Sequence, residues 1–134
     1  MLIRMSKGIY LVIGSFCIAL LDMYITRFLI SSCIENRGVA FGIQFRYQEL
    51  LFLIIAVLLI ALSIKVVGLF RYVVLGILTL GLANCISRVL YGYVCDYISL
   101  FGISFNIVDV GIVTLVTIGI LISILNIYGE KSRE

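Results

Sequence analysis

The segment GLANCISRVLYGYVCDYISLFGISFNIVD, residues 81–109, interrupts with polar groups a chain that is otherwise strongly apolar. Its notable polar residues lie at the end of one apolar run, in the connector that follows, and at the start of the next run: Asn84, Arg88, Asp96, Asn106 and Asp109. Carboxylates beside amides and a guanidinium at a membrane edge can activate water next to lipid. We therefore expect the chemistry of the protein here and interpret the remaining chain as its scaffold.

The composition indicates an integral membrane protein. Of the 134 residues, 63% are hydrophobic and 13% are charged, and the mean hydropathy is +1.27. These values do not fit a soluble globular domain. The formal charge of +3 comes from ten Lys and Arg against seven Asp and Glu, an excess too small and too scattered to indicate nucleic-acid binding.

Histidine is absent from the sequence, and this excludes several kinds of catalytic site. No serine or cysteine nucleophile can be activated by a histidine, and no zinc can be bound through one. Proton transfer therefore falls to carboxylates, and we expect no metal or organic cofactor.

The four cysteines show no CxxC spacing, so a metal or redox motif is not indicated. Cys17 lies in the middle of an apolar run, where packing is its simplest role. A disulfide among Cys33, Cys85 and Cys95 stays open, because a bridge requires a spacing between Cα atoms that sequence alone does not give.

Hydropathy predicts a single membrane domain over residues 1–134 with four spans, at about 9–30, 50–66, 72–88 and 107–128. A bilayer is crossed by about 20 helical residues, and Lys65 can extend the second span by reaching toward the interface. In the third span, Gly76, Gly81 and Ala83 offer small surfaces for close helix packing. The predicted fold is an all-α integral membrane protein with four transmembrane helices.

Two loops, at about 31–49 and 89–106, carry most of the polar residues. The first contains a β-prone segment between Gly38 and Gly42, which suits a small strand or hairpin on the membrane surface. A secretory-signal interpretation of the first span, with a lipoprotein-like cleavage box at residues 30–33, is disfavoured because Asp22 and Arg27 interrupt the region just before that box.

Four spans place both termini on one side of the membrane. Six of the ten Lys and Arg residues lie on that side, and the positive-inside rule therefore predicts cytoplasmic termini. The loops that carry Asn36 and Asp96 then face outward.

Asp22 lies within the first span, where a charged side chain costs about 2.5–3.5 kcal/mol at the helix centre and less near an end. Two interpretations stay open. Asp22 is either an interfacial carboxylate, paired with an arginine or wetted by lipid headgroups, or a carboxylate that holds other site residues or loop backbone in place.

The other polar residues also have structural interpretations. Asn106 is a good N-cap for the fourth span, and Asp109, three positions later, resembles the acidic member of a capping box. Asp96 alone would be a solvated loop carboxylate. Asn84 can cap a helix end, and Arg88 at the end of a span can be an anchor for lipid headgroups.

Taken as a pair, Asp96 and Asp109 have the chemistry of an aspartic protease. One ionised carboxylate takes a proton from water while its protonated partner polarises the scissile carbonyl. Two close carboxylates do not both ionise easily, so we expect one apparent pKa to be raised. Asn84 and Asn106 can hydrogen-bond such a pair or the backbone of a substrate.

The chain resembles the lipoprotein signal peptidase family, the bacterial type II signal peptidases, over nearly its whole length. The blocks that carry the resemblance occur in the family's order: Leu21-Asp22, then Asn36-Arg37-Gly38-Val39-Ala40-Phe41-Gly42, then Asn84-Cys85-Ile86-Ser87-Arg88 with Tyr91-Gly92-Tyr93-Val94-Cys95-Asp96-Tyr97, and finally Phe105-Asn106-Ile107-Val108-Asp109. The family patterns they resemble are Leu-Asp, Asn-x-Gly-Val-Ala-Phe-Gly, Gly-Asn-x-x-Asp-Arg with Tyr-Gly-x-Val-x-Asp-Phe, and Phe-Asn-x-Ala-Asp.

This resemblance implies an aspartyl endopeptidase that removes the signal peptide from diacylglyceryl-modified prolipoproteins just before the lipidated cysteine. The resemblance also implies that the loops form a small extracytoplasmic β-cradle beside the four transmembrane helices. By the matched motifs, Asp96 and Asp109 take the positions of the two catalytic aspartates. The positions implied to support the site or the bound substrate are Asp22, Asn36, Gly38, Asn84, Arg88 and Asn106. The implied partners are the lipidated substrate and membrane lipids. The implied setting is a monomer in the bacterial cytoplasmic (inner) membrane, with its site toward the outer face.

The chain departs from the family pattern at several positions: Met23 replaces Gln, Thr26 holds the usual Lys position, Ala83 replaces Gly, Ser87 replaces the acid before Arg88, and Val108 replaces Ala. The change at position 87 removes an expected partner for a basic residue, and Val108 adds bulk next to the second aspartate. We expect these departures to affect rate and substrate fit more than the fold.

Two alternative functions remain at this point. One is a catalytically impaired relative that binds lipidated membrane segments without cutting them, which the departures at Ser87 and Val108 allow. The other is a small four-helix transport or assembly protein in which Asp22 and Asp109 serve packing or ion passage.

Overall fold

A computed structural model of the protein describes residues 2–38 and 46–131. In these two ranges the elements, in chain order, are helix α1 (Leu2–Leu29), strand β1 (Ile34–Asn36), helices α2 (Gln48–Lys65) and α3 (Leu69–Tyr91), strands β2 (Val94–Asp96), β3 (Ile98–Leu100) and β4 (Ile103–Phe105), and helix α4 (Ile107–Lys131). The helices coincide with the four predicted apolar runs.

Three of these helices are long and apolar enough to cross a membrane, through Gly8–Leu29 of α1, the whole of α3, and Ile107–Asn126 of α4. The apolar part of α2, Leu50–Lys65, is shorter. With 18 residues, α2 is about 27 Å long, slightly less than the hydrocarbon core of about 30 Å. The second predicted span is therefore a helix, but a shorter one than the other three.

Helix α3 lies at the centre of the bundle and packs against α1, α2 and α4. The core is a cluster of small and branched side chains: Ala19, Val73, Leu80, Ala83, Val108 and Leu115. A Cβ atom on Gly76 would lie 2.8 Å from both Leu115 Cδ1 and Ser15 Oγ, so this glycine allows α1, α3 and α4 to approach closely. We also predicted that Gly81 allows close helix packing. This prediction was wrong, because none of the described atoms lies within 4 Å of the place that a Cβ atom on Gly81 would occupy.

Helix α3 continues past the predicted end of the third span, at residue 88, and includes Val89, Leu90 and Tyr91. It ends at Gly92, which has a left-handed conformation (φ 81°) and donates its backbone N–H to the Arg88 carbonyl at 2.8 Å. Glycine adopts this conformation without steric cost, and so it commonly terminates helices. The polar connector is correspondingly shorter than predicted.

In the described part of the loops, two separate two-stranded antiparallel sheets are present. Strands β1 and β2 pair with Ile34 opposite Asp96 and Asn36 opposite Val94, whereas β3 and β4 form a hairpin. The first loop therefore contains a strand, β1, which precedes Gly38. The segment between Gly38 and Gly42, for which we predicted a strand or hairpin, lies outside the described residues from position 39 onward.

A disulfide joins Cys33 to Cys95, with 5.5 Å between their Cα atoms. This resolves the open cysteine pairing, since Cys17 and Cys85 are free thiols. The bridge connects the chain just after α1 to strand β2, one residue before Asp96. It therefore reinforces the β1–β2 pairing beside the predicted site.

Candidate active site

Asp96 ends strand β2 and is almost completely buried, with 3% of its surface exposed. Its Oδ2 atom accepts a hydrogen bond from Asn36 Nδ2 at 3.0 Å, and its Oδ1 atom accepts one from Asn106 Nδ2 at 3.4 Å. The β1–β2 pairing brings Asn36 to this carboxylate, although the two residues are far apart in the sequence. Asp96 is therefore a buried, hydrogen-bonded carboxylate and not the solvated loop residue that it would be in isolation.

Asp109 lies in the first turn of α4 and forms a reciprocal capping box with Asn106. The Asp109 N–H donates to Asn106 Oδ1 at 3.0 Å, and the Asn106 N–H donates to Asp109 Oδ2 at 3.2 Å. The other carboxylate oxygen, Oδ1, accepts a hydrogen bond from Asn84 Nδ2 at 3.1 Å. The capping interpretation is thus correct. It leaves Asp109 available to the predicted site, because Oδ2 serves the cap and Oδ1 contacts Asn84.

Asn106 links the two aspartates. This residue is fully buried, and its Nδ2 atom lies 3.4 Å from both Asp96 Oδ1 and Asn84 Oδ1. Together with the capping box, these contacts connect Asp96, Asn106, Asp109 and Asn84 in one hydrogen-bonded network. The structure therefore brings together these four residues, each of which the sequence analysis named as a candidate.

The electrostatic environment raises the pKa of Asp96 to about 6. Burial is the main cause, and the neighbouring Asp109 carboxylate adds to it. The hydrogen bonds from Asn36 and Asn106 and the positive charge of Arg88 act in the opposite direction. A carboxyl with this pKa can exchange a proton near neutral pH, as a general acid or base requires.

Arg88 connects α3 to the chain that follows β1. Its Nη2 atom donates to the Gly38 carbonyl, and its guanidinium carbon lies 4.7 Å from the centroid of the Phe52 ring. Gly38 is held further by its backbone N–H, which donates to Asn36 Oδ1 at 3.0 Å. Arg88 is half-buried, and these contacts join its guanidinium to Gly38 and to Phe52 of α2.

Asp22 is buried in α1, with 1% of its surface exposed. The Tyr97 hydroxyl donates to Asp22 Oδ1 at 2.7 Å and accepts a hydrogen bond from the backbone N–H of Ile107 at 3.3 Å. Of the two interpretations of Asp22, the interfacial one is therefore wrong, and the carboxylate holds a loop residue in place. Sequence reasoning missed Tyr97, whose signal was a hydroxyl directly after Asp96 where the resembling pattern has Phe.

An open cleft of about 300 Å³ leads to Asp96 from the loop side; it is lined by Ile34, Glu35, Asn36, Asp96, Gly102, Ile103 and Ser104. Its lining comes from β1, from Asp96 at the end of β2, and from the β3–β4 hairpin. Val108 belongs to the helix core and does not line this cleft.

No arrangement of three or more His, Cys, Asp or Glu side chains suited to a metal ion occurs in the described ranges 2–38 and 46–131.

The chain is similar to known proteins in its fold and in its sequence. A solved structure described as a bacterial membrane enzyme has a TM-score of 0.65 and 20% sequence identity, and the match covers 96% of this chain and 92% of that chain. At this identity the likeness concerns the fold alone. A search of curated proteins gives no match. The family model for signal peptidase (SPase) II matches residues 5–128, nearly the whole chain. The chain therefore belongs to the signal peptidase II family, a family of aspartic peptidases.

Proposed function

We propose that the protein is a membrane aspartyl endopeptidase that cleaves diacylglyceryl-modified prolipoproteins immediately before the lipidated cysteine, with Asp96 and Asp109 as its catalytic pair. The observation that carries the proposal is the link through Asn106, which hydrogen-bonds both carboxylates, one of which, Asp96, lines the cleft. Membership of the signal peptidase II family supports the same reaction class.

The two carboxylates divide the work according to their environments. Asp96, whose pKa is raised to about 6, supplies the protonated carboxyl that polarises the scissile carbonyl. Asp109, in the first turn of α4 where the helix dipole favours negative charge, takes a proton from the attacking water. A C–O bond forms as the carbonyl double bond opens.

In the second half of the reaction, the proton held by Asp109 passes to the amide nitrogen, and the C–N bond breaks. The products are a signal peptide with a new carboxylate and a lipidated cysteine with a free α-amine. Asn84 and Asn106 keep both aspartates in position during these steps. Asn36 and Arg88 hold the Gly38 segment against the site through the contacts described above.

The proposed orientation places the termini in the cytoplasm and the site at the outer face of the bacterial inner membrane. The Cys33–Cys95 disulfide supports it, because disulfides persist in oxidising compartments outside the cytoplasm. The distribution of Lys and Arg supports the same orientation. One copy of the chain supplies the aspartates and the residues that hold them, so the proposal requires only a monomer.

The test is incubation of the purified protein, in lipid nanodiscs, with a diacylglyceryl-modified prolipoprotein and with its unlipidated form. Mass spectrometry should find a product that begins at the lipidated cysteine, and only from the lipidated substrate. Asp96→Asn and Asp109→Asn should abolish this product and retain substrate binding.

Glu35→Gln is the matched control, because Glu35 lines the same cleft and forms its ion pair with Arg37 instead of contacting the aspartates. It should retain cleavage. Binding of the lipidated substrate without any product from the wild-type protein would contradict the proposal and favour the non-catalytic relative.

A further inference from the structure

The hydroxyl of Tyr97 connects three parts of the chain that surround the aspartates. Tyr97 directly follows Asp96, and its hydroxyl donates to Asp22 of α1 at 2.7 Å. The same oxygen accepts the backbone N–H of Ile107, the first residue of α4, at 3.3 Å. One oxygen atom thus joins α1, the connector after β2, and the beginning of α4.

This hydroxyl satisfies two polar groups that would otherwise be costly. Asp22 is almost fully buried, and a buried carboxylate without a donor is strongly unfavourable. The Ile107 N–H is one of the backbone donors at a helix start that have no partner within the helix. Burial, reinforced by the hydrogen bond to Asp22, raises the pKa of Tyr97, so the phenol keeps its proton and remains a donor.

The position of Tyr97 in the chain gives these contacts a consequence for the aspartates. Asp96 is its neighbour in sequence, and Asp109 lies in the helical turn that begins at Ile107. A hydrogen bond between Tyr97 and Ile107 therefore joins the segment of one aspartate to the segment of the other. The same hydroxyl is also held by its hydrogen bond to Asp22 on helix α1.

We propose that Tyr97 is a positioning residue whose hydroxyl, held by Asp22, sets the separation of Asp96 and Asp109. This inference rests on the proposed catalytic role of that pair. Tyr97 does not touch the reacting atoms and acts through the two chain segments that it connects.

The environment of Thr26 supports Tyr97 as the hydrogen-bond partner of Asp22. Thr26 lies one turn after Asp22 on α1, it is buried, and its hydroxyl has no hydrogen-bond partner within residues 2–38 and 46–131. The threonine therefore does not serve the Asp22 carboxylate, although the resembling pattern has a lysine at its position. In this chain the hydroxyl of Tyr97 provides the hydrogen bond that Asp22 needs.

The experiment compares Tyr97→Phe with Tyr93→Phe by steady-state cleavage of a diacylglyceryl-modified prolipoprotein. Tyr93 is the matched control, because its hydroxyl, in the same connector, donates to the Ile30 carbonyl at 3.5 Å and not to the site. We expect Tyr97→Phe to lower kcat at least tenfold with KM within twofold of the wild type. Tyr93→Phe should leave both constants within twofold.

A second pair of variants tests the partner and does not depend on the folding of Tyr97→Phe. Asp22→Asn keeps an oxygen that accepts from Tyr97 and should retain kcat within about threefold. Asp22→Leu removes the acceptor at similar volume and should lose as much as Tyr97→Phe. The double variant Tyr97→Phe with Asp22→Leu should lose no more than either single variant, since both remove one interaction.

The outcomes separate the two proposals. If Asp96→Asn abolishes cleavage but Tyr97→Phe retains the wild-type kcat, the role of Tyr97 is overturned and the catalytic pair stands. A rise in KM at unchanged kcat, or equal losses from Asp22→Asn and Asp22→Leu, would also overturn it. Absence of cleavage by the wild-type protein would overturn the proposed function as well.

Discussion

Asn106 and Asp109 hydrogen-bond each other twice, through side chain to backbone in both directions, at 3.0 and 3.2 Å. The same Asn106 side chain also donates to Asp96 at 3.4 Å through its Nδ2 atom. Helix capping and support of the aspartate pair are therefore performed by different atoms of one residue, which makes the two roles separable by mutation.

The first prediction uses this separation. Asn106→Ser keeps an oxygen that caps α4, since serine is among the preferred N-cap residues, but it removes the amide donor to Asp96. We expect kcat/KM to fall about 10- to 100-fold while the unfolding free energy changes by less than about 1 kcal/mol. Asn106→Ala should lose the same activity and about 1 kcal/mol more stability. Cleavage kinetics and thermal unfolding in detergent measure both effects, and wild-type activity in Asn106→Ser would argue against the bridging role.

The second prediction concerns the pH dependence of cleavage. The active pair carries one proton, and Asp96, whose pKa is about 6, loses its proton as the pH rises through that value. We therefore expect kcat/KM of the free enzyme to fall above about pH 6 by up to tenfold per pH unit.

Asn36→Ala should move this alkaline limb to higher pH. The hydrogen bond from Asn36 stabilises the ionised form of Asp96 and lowers its pKa, so its loss favours the protonated form. Asn126→Ala, near the far end of the membrane-spanning part of α4, is the control amide and should leave the profile unchanged. An unshifted profile in Asn36→Ala would contradict the assignment of this limb to Asp96.

Much of the site was predictable from the sequence because its residues fall in short local motifs. Asn106 and Asp109 are three positions apart, and a capping box is defined by that spacing. By contrast, Asn36 meets Asp96 across 60 positions and Tyr97 meets Asp22 across 75. Such contacts depend on strand pairing and helix packing, and the hydropathy pattern predicts neither of them.

The predicted end of α3 and the predicted role of Gly81 differ from the structure for local reasons. The end of α3 was predicted too early because Arg88 is polar, whereas Val89, Leu90 and Tyr91 continue the helix until Gly92 ends it. Gly81 was assigned to helix packing by residue size alone, although a small residue packs only when its helix face meets a neighbour.

The third prediction links the raised pKa of Asp96 to stability. Its pKa is about 6 in the folded protein against 3.8 for an unperturbed aspartate. Since the folded state binds this proton more tightly, its contribution to stability is fully present below about pH 4 and is lost as the pH rises through about 6. Asp96→Asn does not titrate, so its melting temperature relative to the wild type should increase between pH 4 and pH 7.5. Thermal unfolding of both proteins at these two pH values checks this, and a constant difference would contradict it.

The fourth prediction concerns the turn between β3 and β4. Phe101 is 95% exposed and has a positive φ of 52°, followed by Gly102 at 79°. Two residues with positive φ are typical of a type I′ hairpin turn, in which asparagine is preferred at the first position. A bulky residue is strained there, so Phe101→Asn should stabilise the protein by about 1 kcal/mol. Unfolding of the variant in detergent measures this, with Phe101→Leu as the control, which retains the strain and should show no gain.

The last prediction tests the Cys33–Cys95 disulfide. It closes a segment of 62 residues, and the chain-entropy account gives a bridge of this span about 4 kcal/mol of stabilisation. Because it lies beside the pairing of Glu35 with Cys95, its loss should also loosen the contact between Asn36 and Asp96. We expect Cys33→Ser/Cys95→Ser to melt at lower temperature and to cleave with reduced kcat/KM.

A dithiol reductant should produce both effects in the wild type and in the control Cys17→Ser/Cys85→Ser, which lacks only the free thiols. If reduction changes neither melting nor cleavage, the bridge does not hold the site, and the β1–β2 hydrogen bonds alone keep Asn36 at Asp96.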